Sequence, residues 1–151
     1  MTSVTPAAVQ IERVTSPEGF DRAFAVRVEV FVDEQQVPIE LERDDRDDTS
    51  VHFLAVRDGE VVGTVRMYED PPGEAHLGRL AVRASARTGG VGRVLVDAVE
   101  TESRALGLRR VVLSAQLQAM GFYERLGYTA YGPVYDDAGI PHRDMAKELG
   151  P

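Results

Sequence analysis

The sequence predicts a single-domain α/β fold with one mixed sheet, in which an antiparallel meander leads into a β-α-β unit and two closing strands. Three observations carry this prediction. The chain has 151 residues, which corresponds to about one domain. An Asp-Gly pair at positions 58–59 separates two runs rich in β-branched residues, a pattern typical of a hairpin. A helical stripe of apolar residues at 91–106 lies between two strand-like runs, and strands joined in this way are parallel.

The first elements follow from alternation and from a helix-start signal. Residues 9–14 alternate apolar and polar side chains, which is typical of a half-buried strand. Ser16 and Pro17 then stand where an N-cap and a first helical residue are expected. Apolar residues recur at spacings of three and four up to about Val32, so we predict one helix to that point, and Pro38 ends any continuation.

The same signals predict the remaining elements in order along the chain. They are two hairpin strands, a third strand, a helix, a short strand, a second helix and two closing strands, at residues 52–57, 61–68, 75–82, 91–106, 110–115, 119–126, 128–135 and 142–149. These elements bound a domain of residues 9–149 that follows an N-terminal tail of residues 1–8.

Composition and charge exclude several classes of function. The formal net charge of −8 argues against nucleic acid or an anionic membrane as a partner. The chain has no cysteine, which excludes disulfides, thiolate metal sites and a cysteine-borne acyl intermediate. The three histidines, His52, His76 and His142, lack metal-ligand spacing, so no metal is expected. No signal peptide or membrane-spanning run is visible, and we expect a cytoplasmic protein.

One segment is strongly acidic. Residues 40–48 contain six acidic side chains and two arginines, and we predict a solvated loop that does not pack. Such a loop can also draw a cationic amine towards a cleft. Alternatively, Arg27 and Arg143 hold a carboxylate or phosphate of the substrate; the sequence does not choose between these interpretations.

The feature that carries chemistry is the run Arg-Thr-Gly-Gly-Val-Gly at 87–92, between a predicted strand and a predicted helix. Its glycines leave backbone N–H groups accessible at a helix N-terminus, where an anion is favoured, and Arg87 adds a bidentate donor. The run therefore predicts a cradle for a diphosphate, with a plain helix-entry turn as the alternative. A P-loop is disfavoured because Arg93 and Val94 follow Gly92, and a dinucleotide fingerprint because Leu95 replaces the third glycine.

Two segments resemble the GNAT family of N-acetyltransferases. Residues 87–92 match that family's [QR]-x-x-G-x-[GA] signature, after a predicted strand that ends Leu80-Ala81-Val82. About 35 residues further on, residues 121–128 are similar to its F-Y-x-x-x-G-[FY] segment. Residues 31–38 and 139–143 further resemble a small, poorly characterised branch of acetyltransferases, so the resemblance covers roughly residues 9–149.

The resemblance implies acetyl-CoA as the acetyl donor, bound where two parallel strands splay apart. Its pyrophosphate would lie on the amides of residues 87–92, and its pantetheine arm would pair with the backbone of Leu80 and Val82. The implied cofactor-binding residues are Leu80, Ala81, Val82, Arg87, Thr88, Gly89, Gly90, Val91, Gly92, Arg93, Phe122 and Tyr123.

Acetyl transfer to an amine needs a base, an oxyanion donor and an acid for the departing thiolate. The resemblance assigns the acid to Tyr123, and a backbone N–H near Val82 is the candidate oxyanion donor. The candidates for the base are Glu34, which follows the first helix, and His142, whose ordinary pKa suits the role. Each has a structural alternative: Tyr123 as a buried aromatic, Glu34 as an exposed loop acid, and His142 as the cap of a turn.

The resulting hypothesis is an N-acetyltransferase that moves acetyl from acetyl-CoA directly to a primary amine of a small molecule or peptide. The alternatives are an acetyl-CoA-binding sensor or interaction module and, less favoured, an enzyme that takes its acyl group from an acyl-carrier protein. A homodimer is also predicted as an option, through Val111 and Val112 or through the closing strands.

Overall fold

The computed structural model describes residues 8–150, which form one seven-stranded mixed sheet with helices on both faces. The strands are β1 (Gln10–Arg13), β2 (Val51–Arg57), β3 (Glu60–Glu69), β4 (Glu74–Val82), β5 (Arg110–Gln116), β6 (Thr129–Asp137) and β7 (Ile140–Glu148). The α-helices are α1 (Pro17–Arg27), α2 (Ile39–Glu42), α3 (Val91–Ala105) and α4 (Met120–Arg125). Residues 1–7 of the predicted tail lie outside the described residues.

The sheet has the predicted architecture. Its strand order is β1-β2-β3-β4-β5-β7-β6. The pair β4–β5 is parallel and every other neighbouring pair is antiparallel. Helix α3 connects the two parallel strands, as expected for a β-α-β unit. No helix among residues 8–150 combines the length and the apolar character needed to cross a membrane.

Helix α1 begins as the sequence predicts and ends differently. The Ser16 hydroxyl accepts a hydrogen bond from the Gly19 N–H at 3.1 Å, and Pro17 is the first helical residue. The predicted single helix to Val32 is instead an α-helix to Arg27 followed by a π-helix over Val28–Glu34. The sequence pattern does not separate the two because apolar spacings of three and four occur in both.

Two apolar cores lie on opposite faces of the sheet. On one face, α3 packs the fully buried Leu95 and Val99 against the central strands. On the other face, α1 packs Ala23 and Val26 against β2, β3 and β4. Burial of these side chains, at about 25 cal/mol per Å² of apolar area, is the main force that holds the helices on the sheet.

The prediction that residues 40–48 form a solvated loop that does not pack is wrong at Glu42 and Asp47, although most of the segment is exposed. Glu42 and Asp47 are 3 % and 5 % exposed, and both bind the guanidinium of Arg27, which is itself 1 % exposed. Arg66 of β3 adds a second cation, 2.9 Å from the Asp47 carboxylate. The acidic segment packs because arginines distant in sequence neutralise and hydrogen-bond its carboxylates.

Two further expectations need correction. Arg27 does not hold a substrate group, because its donors are directed at Glu42 and Asp47 inside the protein. Val111 and Val112 do not form a dimer edge, because they are 0 % and 7 % exposed on β5, which lies between β4 and β7. The edge strands of this sheet are β1 and β6.

Candidate functional site

The two parallel strands separate after four pairs. Their register runs from Glu74 opposite Arg110 to Leu77 opposite Leu113. In the described chain, residues 78–82 of β4 and 114–116 of β5 do not pair with each other. This leaves a V-shaped gap at the carboxyl ends of the parallel strands, the usual location of ligands in α/β sheets.

A β-bulge in β4 accompanies this divergence. Between the pairs Thr64–Ala81 and Arg66–Gly78, β4 carries one more residue than β3. Arg79 lies in the bulge with φ +51°, in the left-handed region. Bulges bend and twist a strand, and this one lies directly after Leu77, where the pairing of β4 with β5 ends.

The backbone of β4 faces the gap at Val82. The Arg83 N–H donates to the Val62 carbonyl of β3 at 2.9 Å. Because successive residues alternate in direction, the amide and carbonyl of Val82 point to the opposite side, into the gap. The Arg87 Nε–H donates to that Val82 carbonyl at 2.9 Å. At the strand edge predicted for the pantetheine arm, the Val82 N–H therefore faces the gap, whereas the Val82 carbonyl is already bound by Arg87.

The glycine run forms the turn that enters α3. Gly89 and Gly90 have φ values of +98° and +80°, which favour glycine, and a Cβ built on Gly90 meets nothing within 4 Å. Gly90 is the N-cap of α3 and no side chain caps that end. The first N–H groups of a helix have no intrahelical partner, so the cradle presents donors to open space.

Phe122 closes one side of this cradle. A Cβ built on Gly92 would stand 3.1 Å from the Phe122 ring, so a larger residue at 92 would push this ring away from α3 by a few tenths of an ångström. The ring of Tyr123 lies beside that of Phe122, with the two centroids 5.0 Å apart. Tyr123 is 7 % exposed, and burial raises its pKa above the ordinary tyrosine value. The structure thus brings the two motif-bearing segments, residues 87–92 and 121–128, into contact.

Two arginines lie at the cradle, of which the sequence indicated one. Arg87 forms a bidentate ion pair with Glu34, with both N–O distances 2.8 Å. The guanidinium of Arg57, at the end of β2, lies 3.5 Å from a Cβ built on Gly89, and its buried Nε has no hydrogen-bond partner among residues 8–150. Arg57 is 30 residues upstream of Arg87, and no local pattern connects the two.

The face of the sheet towards α1 carries the other candidates. The Gln35 side chain, just after the π-helix, accepts a hydrogen bond from Gln116 at the end of β5 at 2.7 Å. His142 is opposite Gln116 in the sheet and is 9 % exposed. Its Nδ1 lies 2.7 Å from the Ile140 carbonyl, so Nδ1 carries the proton and Nε2 keeps a free lone pair. Glu34 and His142 are thus placed near opposite edges of the gap, and Glu34 is already bound to Arg87.

A groove of about 420 Å³ begins at the cradle and runs between α3 and α4. Arg93 and Phe122 line its near end, and Glu100 and Lys147 line its far end. There the Lys147 ammonium donates to Glu100 at 2.9 Å, and the Tyr128 hydroxyl donates to the other oxygen of Glu100. The groove lies on the α3 face of the sheet, away from His142.

Comparison with known proteins decides the family. The family model described as acetyltransferase (GNAT) domain matches residues 11–149. The chain belongs to the GNAT acetyltransferase family. This GNAT protein is an acyltransferase whose fold and family support the use of an acyl-CoA.

Individual relatives agree with this assignment. The GNAT chain is 39 % identical over 132 residues to YjcF of Bacillus subtilis, named an uncharacterized N-acetyltransferase, with 87 % of this chain and 94 % of YjcF covered. An acyl-CoA N-acyltransferase from Pseudomonas aeruginosa superposes with a TM-score of 0.77 at 26 % identity, over 93 % of this chain and 99 % of that one. Escherichia coli ElaA superposes with a TM-score of 0.78 at 27 % identity, over 93 % and 100 %.

Proposed function

We propose that this GNAT enzyme transfers acetyl from acetyl-CoA directly to a primary amine. The single observation that carries the proposal is the open gap between β4 and β5, with the glycine cradle at its end. An acyl-CoA matches this arrangement, because its diphosphate would lie at the cradle while its amide-rich arm, which ends in the thioester, runs along the gap. The chain contains no cysteine to carry the acyl group, so attack on the thioester is direct.

The cofactor would be held by backbone and arginines together. The diphosphate would take N–H donors from residues 89–93 and side-chain donors from Arg57 and Arg87. The arm would add to the edge of β4 that faces the gap, at Leu80 and at the Val82 N–H, as a peptide adds to a strand, while Arg87 keeps the Val82 carbonyl. Phe122 would pack against the arm from the α4 side.

The proposed transfer converts an ammonium and a thioester into an amide, a thiol and one released proton. An ammonium loses one proton, its nitrogen bonds to the thioester carbonyl carbon, and the carbonyl oxygen becomes an oxyanion. An N–H near Val82 would stabilise that oxyanion. The C–S bond then breaks, the nitrogen loses its second proton, and one of the two protons ends on the CoA sulfur while the other enters solvent.

Tyr123 would stabilise the departing thiolate. Because burial raises the pKa of Tyr123 above 10, full proton transfer to a thiolate is uphill, and the phenol acts mainly as a hydrogen-bond donor. We expect Tyr123→Phe to lower turnover by about 10- to 10²-fold, as for loss of a hydrogen bond to a charged group, with acetyl-CoA affinity kept. Steady-state rates and calorimetry check both quantities, and Tyr128→Phe, which removes a nearby buried phenol that binds Glu100, is the matched control. Unchanged turnover in Tyr123→Phe would assign the ring to packing alone.

For the base, we favour His142 over Glu34. The Nε2 lone pair of His142 is free to take a proton from the acceptor, whereas the Glu34 carboxylate is occupied by Arg87. Replacement of His142 by Gln should therefore lower kcat by about 10²-fold with acetyl-CoA affinity kept. An unchanged kcat in the variant would exclude His142 as the base.

The cofactor site is tested by calorimetric titration with acetyl-CoA. Gly90→Glu places a carboxylate in the cradle, and we expect affinity to fall by about tenfold or more. Gly59→Glu is the matched control, since Gly59 has a similar φ of +76°, also meets nothing within 4 Å, and lies in the β2–β3 turn. Equal acetyl-CoA affinities of the two variants would show that the cradle does not bind the cofactor. Absence of acetyl-CoA binding by the native chain would overturn the proposal.

A further inference from the structure

The half of the sheet beyond α1 presents an open polar face. Helix α1 packs on β2, β3 and β4. On the neighbouring strands, Ser114 of β5 is opposite Asp144 of β7, and Asp144 is opposite Tyr131 of β6. Directly opposite residues project from the same face, so these side chains form one row across three strands. Tyr131 and Tyr135 are 44 % and 37 % exposed there.

The hydrogen bonds of this row run from Ser114 to Tyr135 and from Tyr135 to Asp144. The Tyr135 hydroxyl donates to Asp144 Oδ1 at 2.6 Å, because a carboxylate only accepts. The Ser114 hydroxyl, which also contacts the Tyr135 oxygen, must then donate to it. Both hydroxyl protons are used inside the row. What remains for a ligand is a set of acceptors: the second oxygen of Asp144 and the lone pairs of the hydroxyls.

Asp144 also differs from every comparable acid in the described chain. Eight acidic residues of 8–150 are buried or half-buried, namely Glu29, Glu42, Asp44, Asp47, Glu74, Glu100, Glu102 and Asp144. Seven of them have an arginine or lysine nitrogen within 4.0 Å. Asp144 is the eighth and, among residues 8–150, has no such partner. A half-buried carboxylate loses hydration, and a cation is what compensates for that loss.

We infer that Ser114, Tyr135 and Asp144 form a binding site for the ammonium group of the acceptor, and that this GNAT enzyme selects amines that are cations at neutral pH. This inference rests on the proposed function. An ammonium offers three donors to the three acceptors of the row and no acceptor that needs a partner. Tyr131 and Tyr135 flank the carboxylate and provide ring faces for a cation or an aromatic tail.

The place of the row in the sheet fits this role. Ser114 is the first residue of β5 beyond Leu113, the last residue paired with β4. The row therefore begins at the vertex of the gap in which the thioester would lie. From Asp144 it continues past Tyr131 into a depression of about 540 Å³ that Arg110, Thr129 and Glu148 also line. That depression gives room for the rest of an acceptor.

The test is binding of a charged probe and its neutral analogue, without turnover. The CoA-saturated chain is titrated with 2-phenylethylamine and, separately, with 2-phenylethanol, with tyrosine ring resonances followed by NMR. We expect the amine to bind at least about tenfold more tightly than the alcohol and to shift the resonances of Tyr131 and Tyr135. Added NaCl should weaken amine binding and leave alcohol binding unchanged. Equal affinities, or no binding of the amine, would overturn the inference.

Variants locate the site. Asp144→Asn keeps the shape of the side chain and should reduce amine affinity about tenfold or more, and Tyr135→Phe should reduce it several-fold. Asp21→Asn removes a carboxylate from an exposed position of α1, outside both the row and the depression, and should have little effect. Amine affinity that is unchanged in both Asp144→Asn and Tyr135→Phe would contradict the assignment. CoA titration of each variant separates this result from failure of the cofactor site, and if CoA does not bind, the amine–alcohol comparison is made on the free chain.

Discussion

The α1 face of the sheet has two halves that use carboxylates in opposite ways. Over β3 and β4, Glu42, Asp44 and Asp47 are held by Arg27, Arg66 and Arg79 from the same chain. Over β5 and β7, Asp144 lies beside tyrosines with no cation of its own among the described residues. A carboxylate that is paired with an arginine of the same chain holds a loop in place, whereas a carboxylate without such a partner is available to a ligand.

The largest expected effect is on the half over β3 and β4, called here the paired half because its carboxylates are bound by arginines. Arg27→Met leaves Glu42 and Asp47 buried without their cation, and we expect the free energy of unfolding to fall by about 3–5 kcal/mol. Urea denaturation measures the change. Arg22→Met, at an exposed position of the same helix, is the control and should change stability by less than about 0.5 kcal/mol. Similar losses in both variants would mean that the paired half does not depend on its internal cation.

Acid should weaken the same half. Burial by itself would raise the pKa of Asp47, but hydrogen bonds from Arg27, the Asp44 N–H and Arg66 lower it, and Arg66 likewise lowers the pKa of Asp44. A depressed pKa means that this stabilisation is complete above the unfolded value near 3.9 and is lost as pH falls below it.

We therefore expect native stability to decline by about 2 kcal/mol between pH 5 and pH 2, and Asp47→Asn to flatten that decline. Burial raises the pKa of Glu42, which acts in the opposite sense and offsets part of the loss as pH falls. Denaturation midpoints across this range measure the slopes. Parallel slopes for native and variant chains would show that Asp47 does not couple folding to pH.

A smaller effect is expected at the border between the acceptor side and the cofactor cradle. Glu34 holds Arg87, the arginine expected to bind the diphosphate, through two hydrogen bonds. Glu34→Gln should release that guanidinium and tighten acetyl-CoA binding up to about fivefold, as for other exposed pairs. Calorimetry measures the gain, with Asp33→Asn as an exposed neighbouring control. Weaker binding in Glu34→Gln would show that the pair orders Arg87 for the cofactor instead of competing with it.

The smallest effect should be on the stability of the open half. Asp144→Asn removes no ion pair within the described chain and keeps an acceptor for the Tyr135 hydroxyl, so we expect unfolding to change by less than about 1 kcal/mol. Asp47→Asn, measured beside it at pH 7, should lose several times more. Equal losses would remove the contrast between the two halves.

Local patterns predicted the parts of the site that are contiguous in sequence. The run at 87–92 needs positive φ at Gly89 and Gly90, and the missing Cβ of Gly92 leaves room for the Phe122 ring. These features depend on the backbone at single positions, so the glycines in the sequence are enough to predict them. The ion pairs of Arg27 lie 15 and 20 residues away in sequence, where no periodicity operates, and the charged run at 40–48 was therefore predicted as solvated loop.

By itself, then, the sequence determined the order of strands and helices, the parallel β-α-β unit and the glycine cradle, because hydrophobic period and turn chemistry act over a few residues. Tertiary structure alone decided which acids received a cation and how far β4 and β5 remain paired. It also placed Ser114, Tyr135 and Asp144 in one row, since strand register brings together residues that are 9 to 30 positions apart. The charge of a side chain does not indicate which residue will pair with it, because tertiary packing determines which oppositely charged groups come together.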